Sequence, residues 1–152
     1  MNIFILDTDP KTNASYHCDK HVVKMIIETA QMLCTAHWET GSEAPYRSTH
    51  KNHPCTKWTR ENTTNYLWLC ELGMELCYEY TSRYGRIHKT QQHLEWLKNN
   101  VPKLPTGQLT EFPQAMPEQY KSKDVVEAYR QYYMGEKRDI VKWKNNVPCW
   151  YN

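Results

Sequence analysis

A stripe of polar side chains marks one face of the first long apolar stretch of the sequence. Its members follow one another at steps of four, three, four, three and four residues: His17, His21, Lys24, Glu28, Gln31 and Thr35. Steps of three and four residues place side chains on the same face of an α-helix. Because the residues between them are mostly apolar, we predict a narrow polar seam on a buried helix, with its first four side chains lining one cleft.

The chemistry of this seam has three interpretations at the level of sequence. It is an ordinary solvent-facing stripe, a metal site that begins with His17 and His21, or a catalytic face that combines imidazole, amine and carboxylate groups. A stable zinc site needs three or four ligands, and the six cysteines include no Cys-x-x-Cys pair. We therefore expect neither a metal nor another cofactor.

The elements that must position these side chains are helical. The pattern predicts a mainly α protein, a single compact domain over residues 1–152 with two long helices, a C-terminal helix and long irregular connections. The helices are predicted over residues 14–37, 56–84, 90–99 and 125–144, with Gly85 ending the second. The segment NIFILD is a short strand or an extended segment against the core, and four prolines between residues 101 and 120 predict an irregular connection.

Composition narrows the class of protein only slightly. The net charge of +2, from 19 basic and 17 acidic side chains, does not by itself indicate nucleic-acid binding. Six Trp and eleven Tyr against two Phe suit half-buried surfaces and base stacking as well as core packing. No apolar run is long enough to span a membrane, and no signal peptide is recognisable. We expect a cytoplasmic protein with reduced thiols.

Basic side chains form two groups on either side of the second long helix, and an aromatic pair ends the chain. The candidates for phosphate contacts are Lys20 of the first helix and, from these groups, Arg47, His50, Lys51, His53, Lys57, Arg60, Arg83, Arg86 and Lys89, with Trp150 and Tyr151 as aromatic contacts. Each group alone is typical of a solvated surface, and together they favour a DNA-facing one. His50, His53 and Cys55 also leave a metal site open as the alternative for their loop.

Several short motifs, taken in order, resemble the phage pyrimidine-dimer DNA glycosylase/AP-lyase family, also called phage-type endonuclease V. They are a helix that starts at a histidine, an Arg-aromatic-Gly helix end, a Pro-Gln turn and a Pro-x-Trp-Tyr ending: His17, Arg83-Tyr84-Gly85 with Ile87 and Lys89, FPQAMPEQY, and Pro148, Trp150 and Tyr151. The resemblance implies a compact all-α protein that binds double-stranded DNA and displaces a base. It also implies the cytosol of a host cell if a phage encodes the protein.

The same resemblance implies an amine nucleophile that attacks the sugar C1′, forms a Schiff base and cuts the strand by β-elimination. In the family the amine belongs to residue 2, and a glutamate near the start of the first helix assists. Here residue 2 is Asn, whose bulk favours retention of Met1, so the expected nucleophile is the Met1 amine. Counting without gaps from His17 places Lys24 at the glutamate position, with Asp19 and Glu28 as the nearest acids.

We therefore predict a DNA-repair-type glycosylase and AP lyase that acts on a damaged or modified base. The catalytic candidates are Met1, His17, His21, Lys24 and Glu28. The amine of Lys20 or Lys24 is the alternative nucleophile. Two other functions stay open: a non-catalytic binder of nucleic acid or a nucleotide on the same scaffold, and an enzyme of modified-nucleotide metabolism. Lys24 at the position of an acid favours the binder.

Overall fold

The computed structural model describes all 152 residues and consists of six α-helices and one short 3₁₀ helix, with no β-strand. The helices are α1 (Pro10–Tyr16), α2 (Asp19–Trp38), α3 (Pro54–Thr59), α4 (Thr63–Tyr84), α5 (Gln91–Asn99), the 3₁₀ helix η1 (Glu118–Tyr120) and α6 (Val125–Gly135). The predicted mainly α fold with two long helices and irregular connections is thus confirmed. None of the helices combines the length and apolar character that crossing a membrane requires.

The first predicted helix, residues 14–37, is wrong at its start because the chain forms two helices there. Asp9 caps α1 by accepting a hydrogen bond from the Thr12 N–H at 2.9 Å, and Pro10 occupies the first helical position. His17 and Cys18 then adopt extended backbone angles that separate α1 from α2. The polar seam therefore begins in the break between two helices, and its regular part lies on α2.

The second long helix begins later than residue 56, which corrects another predicted boundary. Residues 54–59 form α3, and Asn62 then starts α4 by accepting a hydrogen bond from the Asn65 N–H at 2.8 Å. A cap of this kind marks the start of a new helix, so α3 and α4 are separate elements. Gly85 closes α4 with a φ of 71°, the left-handed conformation that glycine adopts without strain.

The last helix ends at Gly135, nine residues before the predicted end at 144. The residues that follow fold back against the start of α2, where the Asp19 N–H donates to the Lys142 carbonyl at 2.7 Å. The Lys144 N–H donates in turn to the Asp19 carboxylate at 3.0 Å. These contacts with a distant part of the chain replace the local hydrogen bonds of a longer helix.

The core is one cluster of 30 buried apolar residues, which includes side chains of α1, α2 and α4. The N-terminal segment packs within this cluster without forming a helix or a strand, and its buried apolar residues are Ile3, Phe4, Ile5 and Leu6. The Leu6 N–H donates to the Asn13 side-chain oxygen at 3.0 Å, and Arg130 donates to the Leu6 carbonyl at 3.0 Å. Side chains thus provide the hydrogen-bond partners that these backbone groups would otherwise find in a β-sheet.

Arg83 joins α4 to the break between α1 and α2. Its side chain is 1% exposed, and its guanidinium donates to four oxygen acceptors at 2.9–3.1 Å: the carbonyls of Ser15 and His17 and the carboxylates of Asp19 and Glu79. The structure therefore places this predicted DNA contact inside the protein, where it fixes the shape of the chain around His17.

Replacing Arg83 by Ala removes the cation that is paired with two carboxylates and the donor that two backbone carbonyls share. We expect the free energy of unfolding to fall by about 3 kcal/mol or more, as is usual when one partner of a buried ion pair is removed. Arg86→Ala is the matched control, since Arg86 is exposed and makes one hydrogen bond, to the Tyr80 hydroxyl. It should cost less than about 1 kcal/mol. Urea denaturation followed by circular dichroism measures both, and equal losses would contradict the role assigned to Arg83.

Candidate active site

A cleft of about 320 Å³ is lined by the N-terminus, the first half of α2, the loop before α3, the connection before η1, α6 and the residues just after α6. Its lining residues are Met1, Asn2, Phe4, His21, Lys24, Met25, Glu28, His53, Ala115, Tyr132 and Lys137. Four of the five catalytic candidates from the sequence thus meet in one cleft. The fifth, His17, is buried beneath it and lines no cavity.

The centre of the cleft is a contact between an amine and a carboxylate. The Met1 amine nitrogen lies 3.3 Å from one oxygen of Glu28, and the Lys24 ammonium lies 3.6 Å from the other. The Glu28 side chain is 12% exposed, whereas that of Lys24 is 71% exposed. The carboxylate therefore stands between a terminal amine inside the cleft and a lysine at its rim. Positions 24 and 28 are one helical turn apart, so both reach this point from the same face of α2.

Asn2 fixes the position of the Met1 amine. Its side-chain N–H donates to the Ala115 carbonyl at 3.0 Å, and its side-chain oxygen accepts hydrogen bonds from the Tyr129 hydroxyl and the Ile3 N–H, both at 2.8 Å. At the level of sequence, Asn2 matters only for its effect on removal of Met1. Ala115 and Tyr129 are more than 110 residues away from it, so no local pattern could have revealed this function.

His17 and His21 are held as neutral imidazoles below the cleft. Burial, together with the positive charge of Arg83, lowers the pKa of His17 to about 4, although the hydrogen bond to the Asn13 carbonyl opposes this change. Burial also lowers the pKa of His21 to about 3, helped by the charges of His17, Lys137 and Lys24. The His21 ring stacks on Phe4 with the centroids 4.3 Å apart. At neutral pH the His21 ring is therefore an uncharged wall of the cleft, and the His17 ring is an uncharged part of the buried layer beneath it.

His53 lies at the edge of the cleft and caps α3. Its Nδ1 atom accepts a hydrogen bond from the Cys55 N–H at 3.1 Å. Burial lowers the pKa of His53, and the positive charges of the Met1 amine and His50 lower it further, while the Glu28 carboxylate opposes them. Both members of the central pair, the Met1 amine and Glu28, therefore influence the pKa of His53. No three His, Cys, Asp or Glu side chains converge as a metal site would require.

The opposite wall of the cleft comes from residues that the sequence analysis did not select. The Lys137 ammonium lies 5.0 Å from the centre of the Tyr132 ring, and this ring lies nearly parallel to Phe4. Lys137 was predicted to lie within the last helix and instead follows its end at Gly135. The early end of α6 is what brings this cation to the cleft, and no feature of the sequence indicated it.

The other predicted DNA contacts occupy different environments. Six cations are exposed and have no carboxylate within salt-bridge distance: Lys20, Arg47, Lys51, Lys57, Arg86 and Lys89. His50 is also exposed, whereas Arg60 is half-buried and donates to the Lys51 carbonyl at 2.7 Å. Arg47 and Lys89 border a second hollow of about 420 Å³ beside Gln31 of α2.

Trp150 and Tyr151 belong to the packing of the C-terminal segment. The Trp150 ring contacts the Tyr16 ring, with centroids 5.8 Å apart, and the Arg130 guanidinium lies 5.2 Å from its centre. Tyr151 packs against Trp143 at 4.9 Å between centroids. Both rings are half-buried, so much of their aromatic surface is already used within the protein.

The fold and cleft together define a class of molecule, a helical protein in which a terminal amine and a carboxylate face each other near exposed cations. The model of the family described as pyrimidine dimer DNA glycosylase matches residues 1–93, more than half of the chain. The chain therefore belongs to this family of DNA-repair glycosylases, which confirms the resemblance found in its motifs. No match to a curated protein or to a solved structure was found.

The neutral histidines make stability depend on pH. Unfolded histidine binds a proton below about pH 6.5, whereas folded His17 and His21 do so only near pH 4 and 3. The free energy of unfolding should therefore fall as the pH drops from 6.5 towards 4, by up to about 1.4 kcal/mol per pH unit for each histidine. His21→Asn removes one of these groups, so its stability should decline less steeply in this window. Urea midpoints between pH 7.5 and 4.5 measure both slopes, and identical slopes would show that His21 titrates normally.

Proposed function

We propose that this protein is a DNA glycosylase with AP-lyase activity and that its nucleophile is the Met1 α-amine. The observation that carries the proposal is the 3.3 Å separation between that amine and the Glu28 carboxylate inside the cleft. Membership of a pyrimidine dimer DNA glycosylase family supplies the substrate class, DNA with a damaged or modified pyrimidine. The short distance between the amine and Glu28 supports a nucleophilic attack by the amine, because an amine next to a carboxylate can lose its proton when a sugar carbon approaches.

The chemistry can be written with this chain's own groups. The Met1 nitrogen forms a bond to the sugar C1′ while the bond from C1′ to the base breaks and the base leaves with the electron pair. Glu28 accepts the proton that the amine loses. The bond from C1′ to O4′ then breaks, O4′ takes the proton held by Glu28, and the opened sugar carries a protonated imine between Met1 and C1′. Loss of a proton from C2′ then expels the 3′-phosphate and cuts the strand, and water finally releases the protein from the product.

Several observations favour Met1 over the lysines as nucleophile. Only 2% of the Met1 side chain is exposed, yet the residue as a whole is partly accessible, so its exposure comes from the backbone, which includes the amine. Lys20 is exposed and does not line the cleft. The Lys24 ammonium is at the rim, mostly in solvent. Lys24 and Lys137 are suited to contacts with the phosphates that flank the attacked sugar.

The two alternative functions have weaker support from the structure. Counting without gaps placed Lys24 where the family has an acid, and this favoured a non-catalytic binder. In the folded protein, however, Glu28 is the carboxylate that faces the amine, one turn further along α2. An enzyme that acts on free modified nucleotides would need no surface for a DNA duplex, whereas six exposed cations here have no acidic partner.

Borohydride should trap the imine as a covalent adduct between the protein and a duplex that contains an abasic site. Peptide mapping of protein made without an N-terminal tag should place the adduct on Met1. We expect Glu28→Gln to slow trapping by about 100-fold, the usual contribution of a general acid or base. Lys24→Gln is the matched control on the same helix face and should still form the adduct.

Three outcomes of this experiment would contradict the proposal in different ways. An adduct that maps to Lys24, and disappears in Lys24→Gln, would show that the Lys24 amine is the nucleophile. Normal trapping by Glu28→Gln would remove Glu28 from the chemistry. A protein that binds the duplex and never forms an adduct would be a non-catalytic binder.

DNA affinity should depend on the exposed cations of the loop before α3. Each phosphate contact releases counterions, so Arg47→Ala and Lys51→Ala should each flatten the slope of log affinity against log salt by about one unit. Lys98→Ala removes the same charge from a groove between α4 and α5 and is the control. Fluorescence anisotropy at several salt concentrations measures the slopes. Slopes that match the parent in both loop variants would place this loop outside the interface.

A further inference from the structure

The ring of His53 is fixed in one tautomer by its contact with α3. Nδ1 accepts a hydrogen bond from the Cys55 N–H at 3.1 Å, and a ring nitrogen that accepts carries no proton. In the neutral ring the proton must then be on Nε2. A second proton would have to occupy Nδ1, where it would face the Cys55 N–H. The cap of α3 therefore opposes the imidazolium form on geometric grounds.

The Nε2–H group of His53 has no acceptor within the protein, since the only hydrogen bond of this ring is the one at Nδ1. The residue lines the same cleft as the Met1 amine and Glu28. Nδ1 faces α3, so Nε2, on the other side of the ring, is free for a substrate. A neutral donor at this place can stabilise negative charge without adding positive charge to a cleft that already holds Lys24, Lys137 and the amine.

The charges around His53 support the same protonation state. Burial lowers its pKa, and so do the positive charges of the Met1 amine and of His50, whereas Glu28 raises it. At neutral pH the ring is thus uncharged. A neutral imidazole does not give up its remaining proton near pH 7, so His53 can donate a hydrogen bond and cannot act as a general acid.

We propose that His53 is a catalytic residue of base release, whose Nε2–H donates a hydrogen bond to the O2 carbonyl of the departing pyrimidine. This inference rests on the proposed glycosylase function. When the bond from C1′ to N1 breaks, the electron pair moves to the pyrimidine and the negative charge is shared between N1 and O2. The hydrogen bond from Nε2 stabilises this charge without proton transfer, and the base takes its proton from water after release. Donors of this kind act where charge develops in the transition state.

The alternative is the one suggested by the sequence, in which His53 contacts a phosphate of the DNA backbone. The two possibilities differ in a measurable way. A phosphate contact holds the DNA during every step, so its loss would affect attack on an abasic site as well as on a damaged nucleotide. A contact with O2 matters only while a base is leaving, because an abasic site has no base to lose.

Two substitutions separate the two ring nitrogens. His53→Asn places an amide near the position of Nδ1, so it keeps an acceptor for the Cys55 N–H and loses the donor into the cleft. His53→Gln extends an amide N–H towards the position of Nε2 and keeps that donor. Both variants are tested under single-turnover conditions on a duplex with a cyclobutane pyrimidine dimer and on a duplex with a preformed abasic site. Borohydride trapping of the imine is followed on both duplexes. On the dimer duplex it reports base release in the sense of breakage of the bond from C1′ to N1, because the imine forms only after that bond breaks and the dimerised pyrimidine stays attached to its neighbour.

We expect His53→Asn to slow base release by about 10- to 100-fold and to trap on the abasic duplex within about twofold of the parent. His53→Gln should recover most of the lost rate. Unchanged base release by His53→Asn would overturn the inference, as would equal slowing of both reactions, which would indicate a phosphate contact or a general structural effect. If the parent protein releases no base and traps on neither duplex, the proposed function itself fails, and this inference falls with it.

Discussion

The Met1 amine can lie beside Glu28 because the residues that follow it are fixed inside the helical core. Asn2 ties this segment to Ala115 and Tyr129 through its side-chain amide, and the segment ends with Leu6 hydrogen-bonded to Asn13. A chain terminus is usually mobile unless such contacts hold it. Here the ordering is built into the fold, so the entropy of placing the amine is lost on folding and not when the substrate binds.

The buried N-terminus also determines the electrostatics of the cleft. Phe4 brings an apolar surface against His21, and the resulting loss of water keeps that imidazole neutral. The charges that remain are the Met1 amine, Lys24, Lys137 and one carboxylate, Glu28. The cleft is therefore positive overall, which suits a phosphate backbone, while its single carboxylate is placed where an amine must lose a proton.

The parts of this arrangement that follow from local periodicity could be predicted from the sequence. Steps of three and four residues placed Lys24 and Glu28 on one face of a helix, and Gly85 marked the end of α4. Arg83 could not be placed in the same way. Its basic side chain close to a helix end favours a surface position, and its burial depends on carbonyls that become available only where α1 and α2 separate. Contacts between segments that are far apart in the sequence determine whether such a side chain is buried. These contacts produce no periodic pattern of residues in the sequence.

The family match ends at residue 93, and this boundary separates the residues of the cleft into two groups. Residues 1–93 contain Met1, Glu28 and His53, the groups to which we assign attack and base release. The facing wall, with Tyr132 and Lys137, lies beyond that boundary. Neither Tyr132 nor Lys137 forms a hydrogen bond or ion pair with Met1, Asn2 or Glu28, so these two side chains do not hold the amine in place. Two residues beyond the boundary do so through Asn2, because the Ala115 carbonyl accepts a hydrogen bond from its side chain and the Tyr129 hydroxyl donates one to it. A backbone acceptor such as Ala115 survives most substitutions, so the position of the amine depends on the Tyr129 side chain more than on the side chains that face the amine across the cleft.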